Sequence, residues 1–310
     1  MRLVTFARQG EERLGALDGR GAVLDLAAAA RELLGRSLPG SLLALIQAGE
    51  SAWTLARQAE AAARARRAQS PALWVPLDEV SLRAPLPRPA KNVFCVGRNY
   101  RAHIIEGARA RGREAVFPEV PEFFTKPPTS VIGPDEDVIV DARRTRQLDY
   151  EVELGVVVGA RAKDLGAGEA LSAVFGYTVI NDVTARDVQK AHGQWFKGKG
   201  FDTFCPTGPC VVTADEFGRP DGHRLALRVN GEPRQDSSTA DMLFSVPQIL
   251  ESLSASLTLE PGDLIATGTP SGVALGMTPQ KWLRPGDVIE AEVQGIGVLR
   301  NRVRAASQIH

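Results

Sequence analysis

Leu148-Asp149-Tyr150-Glu151-Val152-Glu153-Leu154, continuing into Gly155-Val156-Val157-Val158-Gly159, is the segment around which the rest of the chain arranges itself. Side chains on a strand alternate faces, so Asp149, Glu151 and Glu153 project to one side and Leu148, Tyr150, Val152 and Leu154 to the other. Three like charges on one face destabilise a sheet unless something neutralises them, and an oxygen-seeking divalent cation does this. A solvated acidic strand face is the alternative reading of these residues alone.

Downstream, Val174-Phe175-Gly176-Tyr177-Thr178-Val179-Ile180 is an apolar strand that ends in Asn181-Asp182, with a helical stretch expected over Thr184–His192. Asp182 is therefore either a helix N-cap or a carboxylate facing a cleft at a strand end. Joined to Glu151 and Glu153 it makes three carboxylates without a histidine or cysteine partner, and hard oxygen ligands select Mg²⁺, Mn²⁺ or Ca²⁺ over Zn²⁺. Upstream, the strand Lys91–Val96 leads into Gly97-Arg98-Asn99-Tyr100-Arg101-Ala102-His103-Ile104-Ile105-Glu106-Gly107, which reads as a short helix with Asn99 as N-cap and Gly107 just past its end. His103 and Glu106 are i and i+3 neighbours there, the arrangement of either a carboxylate-oriented general base or a solvated surface pair. Lys199, between Gly198 and Gly200, reads as a loop lysine or as a cation that stabilises an oxyanion. Gly268-Thr269-Pro270-Ser271-Gly272 offers hydroxyls and backbone N–H groups to a carboxylate, but the chain lacks a phosphate P-loop.

Further strands are expected over Val138–Val140, Cys210–Thr213, Leu225–Val229, Leu264–Thr267, Val288–Val293 and Gly297–Val303. Asn230-Gly231 marks a type I′ hairpin, and Pro261-Gly262-Asp263 and Pro285-Gly286-Asp287 mark turns. Helices are few: Gly168–Val174 and Val246–Ser254, the latter opened by the capping-box spacing Ser245-Val246-Pro247-Gln248. Ahead of all this lie a small meander (Arg2–Ala7, Arg13–Leu17, Val23–Leu26) and Ala-rich helical segments at Leu26–Leu34, Ser41–Ala48 and Ser51–Gln69. Five prolines between Pro71 and Pro89 disfavour long regular structure and place a boundary near residue 82. The fold class is thus α+β and β-dominated, with a small N-terminal domain over 1–81 and a catalytic domain over 82–310.

Lys+Arg and Asp+Glu both total 37, so no nucleic-acid footprint is expected from net charge. No apolar run approaches the roughly 20 residues that cross a bilayer. The three cysteines, Cys95, Cys205 and Cys210, have neither zinc spacing nor an even count, which fits a reducing cytoplasm. No Gly-x-Ser-x-Gly elbow is present and Cys95 sits in an apolar strand, so metal-assisted rather than nucleophilic chemistry is expected.

Together these positions resemble the fumarylacetoacetate hydrolase family, from roughly residue 91 to residue 301. The resemblance runs through Val96-Gly97-Arg98-Asn99-Tyr100 with His103 and Glu106, Phe123-Phe124-Thr125-Lys126-Pro127, Asp149-Tyr150-Glu151-Val152-Glu153-Leu154, and Asn181-Asp182-Val183-Thr184-Ala185-Arg186-Asp187. It continues through Gly198-Lys199-Gly200-Phe201-Asp202 and Pro261-Gly262-Asp263-Leu264-Ile265-Ala266-Thr267-Gly268-Thr269-Pro270-Ser271-Gly272-Val273. It implies a mixed β-sandwich roll, a homodimer, Mg²⁺ or Mn²⁺ on Glu151, Glu153 and Asp182, and a lid helix carrying a His103–Glu106 dyad. A catalytic Lys199 and substrate contacts from Arg98, Arg186, Gln189, Gly268 and Thr269 are implied as well, with Asp149 in a supporting role. Gly200 stands where many members have serine, and the lid connection Ala108–Pro118 is of a length that varies among members. The expected activity is hydrolysis of a C–C bond in a 2,4-dioxo acid of the acylpyruvate or fumarylpyruvate type through a pyruvate enolate. An oxaloacetate-type decarboxylase or a 2-hydroxyhepta-2,4-diene-1,7-dioate isomerase is the runner-up. A non-catalytic divalent-metal-binding domain is disfavoured by His103, Glu106 and Lys199 together.

Overall fold

The strand Val152–Val158 is buried along its whole length, because both its faces are covered. Val152, Leu154, Val156 and Val158 pack into one apolar core, while Val157 on the opposite face belongs to a second core shared with the N-terminal helices. On that second face, alternation places Glu153, Gly155 and Val157 in a row, so the carboxylate lies where the apolar cover ends. The structure is a computed structural model and describes residues 1–306.

A large mixed sheet contains this strand between Val174–Asn181 and Leu264–Ala266, both antiparallel to it. Leu264–Ala266 runs parallel to Val93–Gly97, which pairs antiparallel with Glu122–Lys126. On the other side Val174–Asn181 pairs with Cys205–Thr213, which pairs in turn with Arg2–Arg8, so the N-terminal meander extends the same sheet. A five-stranded sheet made of Asp137–Val140, Arg224–Val229, Glu232–Ser238, Val288–Val293 and Gly297–Ala305 packs on the first, and Leu225, Leu227, Ile289, Ala291, Leu299 and Val303 meet Val152, Leu154 and Tyr177 in one core. The strand-rich α+β sandwich expected from the sequence is present.

Local rules account for most element ends. Asp25 caps Leu26–Leu34 by accepting from Ala28 N at 2.9 Å, and Ser41 caps Leu42–Gln47 by accepting from Ala44 N at 3.2 Å. Gln248 accepts the Ser245 backbone N–H at 2.9 Å at the start of Val246–Ser254. Asn230 and Gly231 both have positive φ (52° and 79°), and they join Arg224–Val229 to Glu232–Ser238 in the hairpin their dipeptide foretells.

Other expectations fail for tertiary reasons. The stretch Gly168–Val174 holds only a 3-10 turn over Ala170–Ala173. Thr184–Ala185 pairs with Leu148–Asp149 as strand, so the helix there is Arg186–His192 and Asp182 is not its cap. The strand expected over Cys210–Thr213 begins at Cys205, although Pro206 and Pro209 lie within it, and Glu122–Lys126 is a strand the reading omitted. Asn99 is not a cap: its amide donates to Phe244 O (3.0 Å) and Thr267 O (2.8 Å) and accepts from Phe244 N (2.7 Å). Gly107 lies inside the helix Arg101–Ala110 rather than beyond its end.

All three cysteines are free and buried, and burial drives the Cys205 and Cys210 thiols up to about 11 and about 12. A thiol-specific disulfide reagent at neutral pH should therefore register no fast-reacting thiol in the folded protein and three in denaturant, counted by released thiolate absorbance.

Candidate metal centre

The pairing register brings several strand ends together. Val152 pairs with Asn181 and Gly155 with Ala266, so Glu153, Asp182 and the turn Thr267-Gly268 converge at the ends of three neighbouring strands inside the large sheet. Glu151, Glu153 and Asp182 are buried there and present one oxygen each within 4.8 Å of one another. This excludes the solvated acidic face and answers the N-cap alternative for Asp182.

Each carboxylate has one oxygen already committed to a donor of the protein. Arg186 Nη2 donates to Glu151 Oε1, Gly268 N to Glu153 Oε2 (2.7 Å), and Lys126 Nζ to Asp182 Oδ1 (2.6 Å). Lys199 Nζ bridges two of the remaining oxygens, Glu151 Oε2 (2.8 Å) and Asp182 Oδ2 (2.6 Å), and gives its third hydrogen to Thr184 Oγ1 (2.9 Å). Its ammonium also stands 5.0 Å from the centroid of Phe124.

Charge is unevenly compensated. Four buried carboxylates, Asp149, Glu151, Glu153 and Asp182, face three buried cations, Lys126, Arg186 and Lys199, and none of the three reaches Glu153. Burial, with Asp182 and Glu151 adding to it, pushes the Glu153 carboxyl well above its ordinary value. Burial acts on Glu151 in the same direction, but Lys199 and Arg186 outweigh it and hold that carboxyl far below the usual range. The all-oxygen donor set, with a carboxylate that lacks a cationic partner, fits a divalent cation. Glu151, Glu153 and Asp182 are the residues that would hold it.

Around this cluster the other expected site residues take clear positions. Asp149 accepts from Arg186 Nε (2.8 Å), Ala274 N (2.7 Å) and Leu275 N (3.2 Å), and so ties Arg186 to the loop that follows Gly272. Gln189 Oε1 accepts from Arg186 Nη1 at 3.3 Å. The Thr269 hydroxyl donates to Val152 O (2.9 Å) and accepts from Gln235 (2.8 Å), which engages it within the fold. Gly268 has φ +100°, and a Cβ on it would lie 2.7 Å from Asn99 Cβ, so only glycine lets the turn deliver its N–H to Glu153. Arg98 takes a left-handed conformation (φ 54°) between Val93–Gly97 and the helix Arg101–Ala110, and its guanidinium binds Glu122 Oε1 at 3.1 Å.

His103 and Glu106 are partly buried on Arg101–Ala110, with Nδ1 3.5 Å from Glu106 Oε2, longer than a well-formed hydrogen bond. Both oxygens of Glu106 instead accept Gly272 N, at 2.9 and 3.1 Å. A Cβ on Gly276 would lie 2.1 Å from Glu106 Cγ, so this glycine leaves the room in which the carboxylate docks. Gly276→Ala should displace Glu106 and loosen the helix; a charge-assisted hydrogen bond of ~1.5–3 kcal/mol corresponds to roughly a 10- to 150-fold weaker dock. The check is trypsin cleavage at Arg109, Arg111 or Arg113, expected to be faster in the variant while cation binding is unchanged.

Lys126 and Thr184 belong to the centre and were not singled out from the sequence. The signal for Lys126 was faint: it lies in Phe123-Phe124-Thr125-Lys126-Pro127, a stretch that only the family resemblance picks out, and no rule marks a lysine for burial.

A strand-rich fold with large mixed sheets and a buried Glu–Glu–Asp cluster that could hold a divalent cation describes a class of enzymes. The description "Fumarylacetoacetate (FAA) hydrolase C-terminal" matches residues 92–304, and the chain belongs to that family. It is 45% identical over 282 residues to the oxaloacetate tautomerase YisK of Bacillus subtilis, a match that covers 91% of this chain and 92% of the relative. It is 37% identical over 307 residues to a mitochondrial oxaloacetate tautomerase of Rattus norvegicus, covering 98% and 91%. Among solved structures, the fumarylacetoacetate hydrolase of Exiguobacterium antarcticum is 40% identical with a TM-score of 0.78, covering 99% of this chain and 100% of that one. A 2-hydroxyhepta-2,4-diene-1,7-dioate isomerase of Mycobacterium marinum is 32% identical with a TM-score of 0.72, with the same coverage. Among the described residues no helix is long and apolar enough to cross a membrane.

Proposed function

We propose that the chain is a Mg²⁺- or Mn²⁺-dependent enzyme that catalyses enol–keto chemistry on a 2-oxo acid, with oxaloacetate tautomerisation as its first reaction. The observation that carries this is the trio Glu151, Glu153 and Asp182 beside Arg186 and Lys199: an oxygen-donor cluster flanked by two buried cations. A divalent cation held by Glu151, Glu153 and Asp182 would supply Lewis acidity to the oxygens of a 2-oxo acid.

Within this reading Arg186, held by Asp149, and Gln189 orient the carboxylate end of the substrate. His103 moves the proton: in the enol-to-keto direction the 2-hydroxyl gives up its proton and C3 receives one. Glu106 fixes the lid helix through Gly272 and stands 3.5 Å from His103 Nδ1. Lys199 would neutralise the developing enolate on leaving Glu151 and Asp182. This part of the reading needs the side chain to swing, since all three of its hydrogens are engaged.

A second reading, hydrolysis of a 2,4-dioxo acid of the acylpyruvate or fumarylpyruvate type, is favoured by the 40% identity to a fumarylacetoacetate hydrolase. There His103 would take a proton from the attacking water. Decarboxylation of oxaloacetate shares the same enolate. Assays of enol-oxaloacetate, acetylpyruvate and fumarylpyruvate in parallel, with CO₂ release monitored, separate the three. Loss of enol absorbance without CO₂ or a new acid supports the tautomerase, and no acceleration of any substrate with Mg²⁺ or Mn²⁺ sinks the whole reading. The same reading takes the working particle to be a cytoplasmic homodimer, which light scattering tests for assembly.

A further inference from the structure

We propose that Lys126 is a positioning residue that sets the denticity of the metal centre and thereby selects a six-coordinate cation over Ca²⁺; this rests on the reading of Glu151, Glu153 and Asp182 as cation ligands. Lys126 is fully buried, and its ammonium has three partners: Asp182 Oδ1 at 2.6 Å, Val183 O at 3.1 Å and the backbone carbonyl of Lys199. A lysine ammonium has three hydrogens and no acceptor, so every donor is used inside the protein. Its position is therefore set by the fold and does not await substrate.

The consequence lies in which oxygens are left over. Asp182 Oδ1 is withheld by Lys126, Glu151 Oε1 by Arg186 and Glu153 Oε2 by Gly268 N. One oxygen of each carboxylate remains, and two of them, Glu151 Oε2 and Asp182 Oδ2, are the ones that Lys199 Nζ bridges at 2.8 and 2.6 Å. Three monodentate ligands suit Mg²⁺ or Mn²⁺, which take near-octahedral positions and keep several for water or substrate. Ca²⁺ takes six to eight oxygens and gains from bidentate carboxylates, which these donors forbid. Of the three withholding groups, Lys126 is the one that can be replaced without touching the backbone or a residue proposed to contact substrate.

The same ammonium joins Asp182 to the main chain at Lys199, so the third ligand and the segment bearing the mobile cation share one support. A change at Lys126 should therefore register first in cation preference.

The test is titration calorimetry of Mn²⁺ and of Ca²⁺ into the full-length chain and its Lys126→Met variant, of similar volume and no charge. The ratio of the Ca²⁺ to the Mn²⁺ dissociation constant should fall by about tenfold or more in the variant, within the range by which residues that orient ligands alter metal affinity. Lys126→Arg, which keeps a charged donor, should restore much of the discrimination. An unchanged ratio in a Lys126→Met protein that retains its circular dichroism overturns the proposal. A crystal of the Mn²⁺-loaded unaltered protein decides the matter even if that variant does not fold: Asp182 bound through Oδ2 alone supports it, and Asp182 chelating through both oxygens refutes it. If the unaltered chain binds neither cation, the reading of the cluster as a metal centre fails before the role of Lys126 is reached.

Discussion

Glu153→Gln is expected to abolish divalent-cation binding while leaving the metal-free fold at least as stable at neutral pH as the unaltered protein. The two halves of this result have one cause. Among the described residues Glu153, which is buried, receives only the N–H of Gly268 and has no cationic side chain on it. Its carboxyl is raised well above the ordinary value of 4.5, so between that value and its folded-state value the native chain holds a proton that the unfolded chain has released. Stability of the metal-free protein must then fall as pH rises through that interval; below it the effect is absent, and above it the loss is complete. Glutamine keeps an oxygen and removes the titration. The metal-free variant should lose this part of the downward slope in thermal melts recorded upward from pH 5, and should show no Mn²⁺ heat in calorimetry. A variant that binds Mn²⁺ with unaltered affinity would exclude Glu153 as a ligand.

His103→Ala should reduce turnover by about 10²- to 10⁴-fold, the range typical of a positioned general acid or base, with cation affinity unchanged. The split is expected because His103 lies on the helix Arg101–Ala110, whereas among the described residues every side chain that hydrogen-bonds to the three carboxylates comes from elsewhere in the chain. It holds for either proposed reaction, since tautomerisation and water attack each need a proton moved, the task proposed for His103. Full activity with the alanine variant, measured on enol-oxaloacetate and on acetylpyruvate, removes the histidine from the mechanism. A parallel loss of Mn²⁺ binding would mean instead that the helix supports the metal centre.

Much of the site could be read from residue order. The trio Glu151, Glu153 and Asp182 was accessible because a strand's alternation puts Glu151 and Glu153 on one face and an apolar strand ends beside Asp182, and the structure brings all three within 4.8 Å. The hairpin at Asn230-Gly231 and the helix Val246–Ser254 were accessible because their signals are local, a pair of positive φ angles and a capping pattern. Asn99 and Asp182 misled for the same reason: each is a good cap by type, yet Asn99 is drawn to Phe244 and Thr267, and Asp182 to Lys126 and Lys199. Competition between a local and a distant hydrogen bond leaves no mark in sequence.

The sequence by itself pointed to Glu151, Glu153 and Asp182 as candidate oxygen donors, to the β-dominated class and to the helix that carries His103, because periodicity, turn chemistry and short-range charge spacing act within a few residues. Only the tertiary structure decided that Lys126 is buried against Asp182, that Lys199 bridges Glu151 and Asp182, and that Glu106 binds Gly272 rather than closing a hydrogen bond on His103. These contacts join residues 17 to 166 positions apart. Their partners are chosen by strand register and by the low dielectric of the buried strand ends, where an unpaired charge is costly enough to draw in whichever opposite charge the fold brings near.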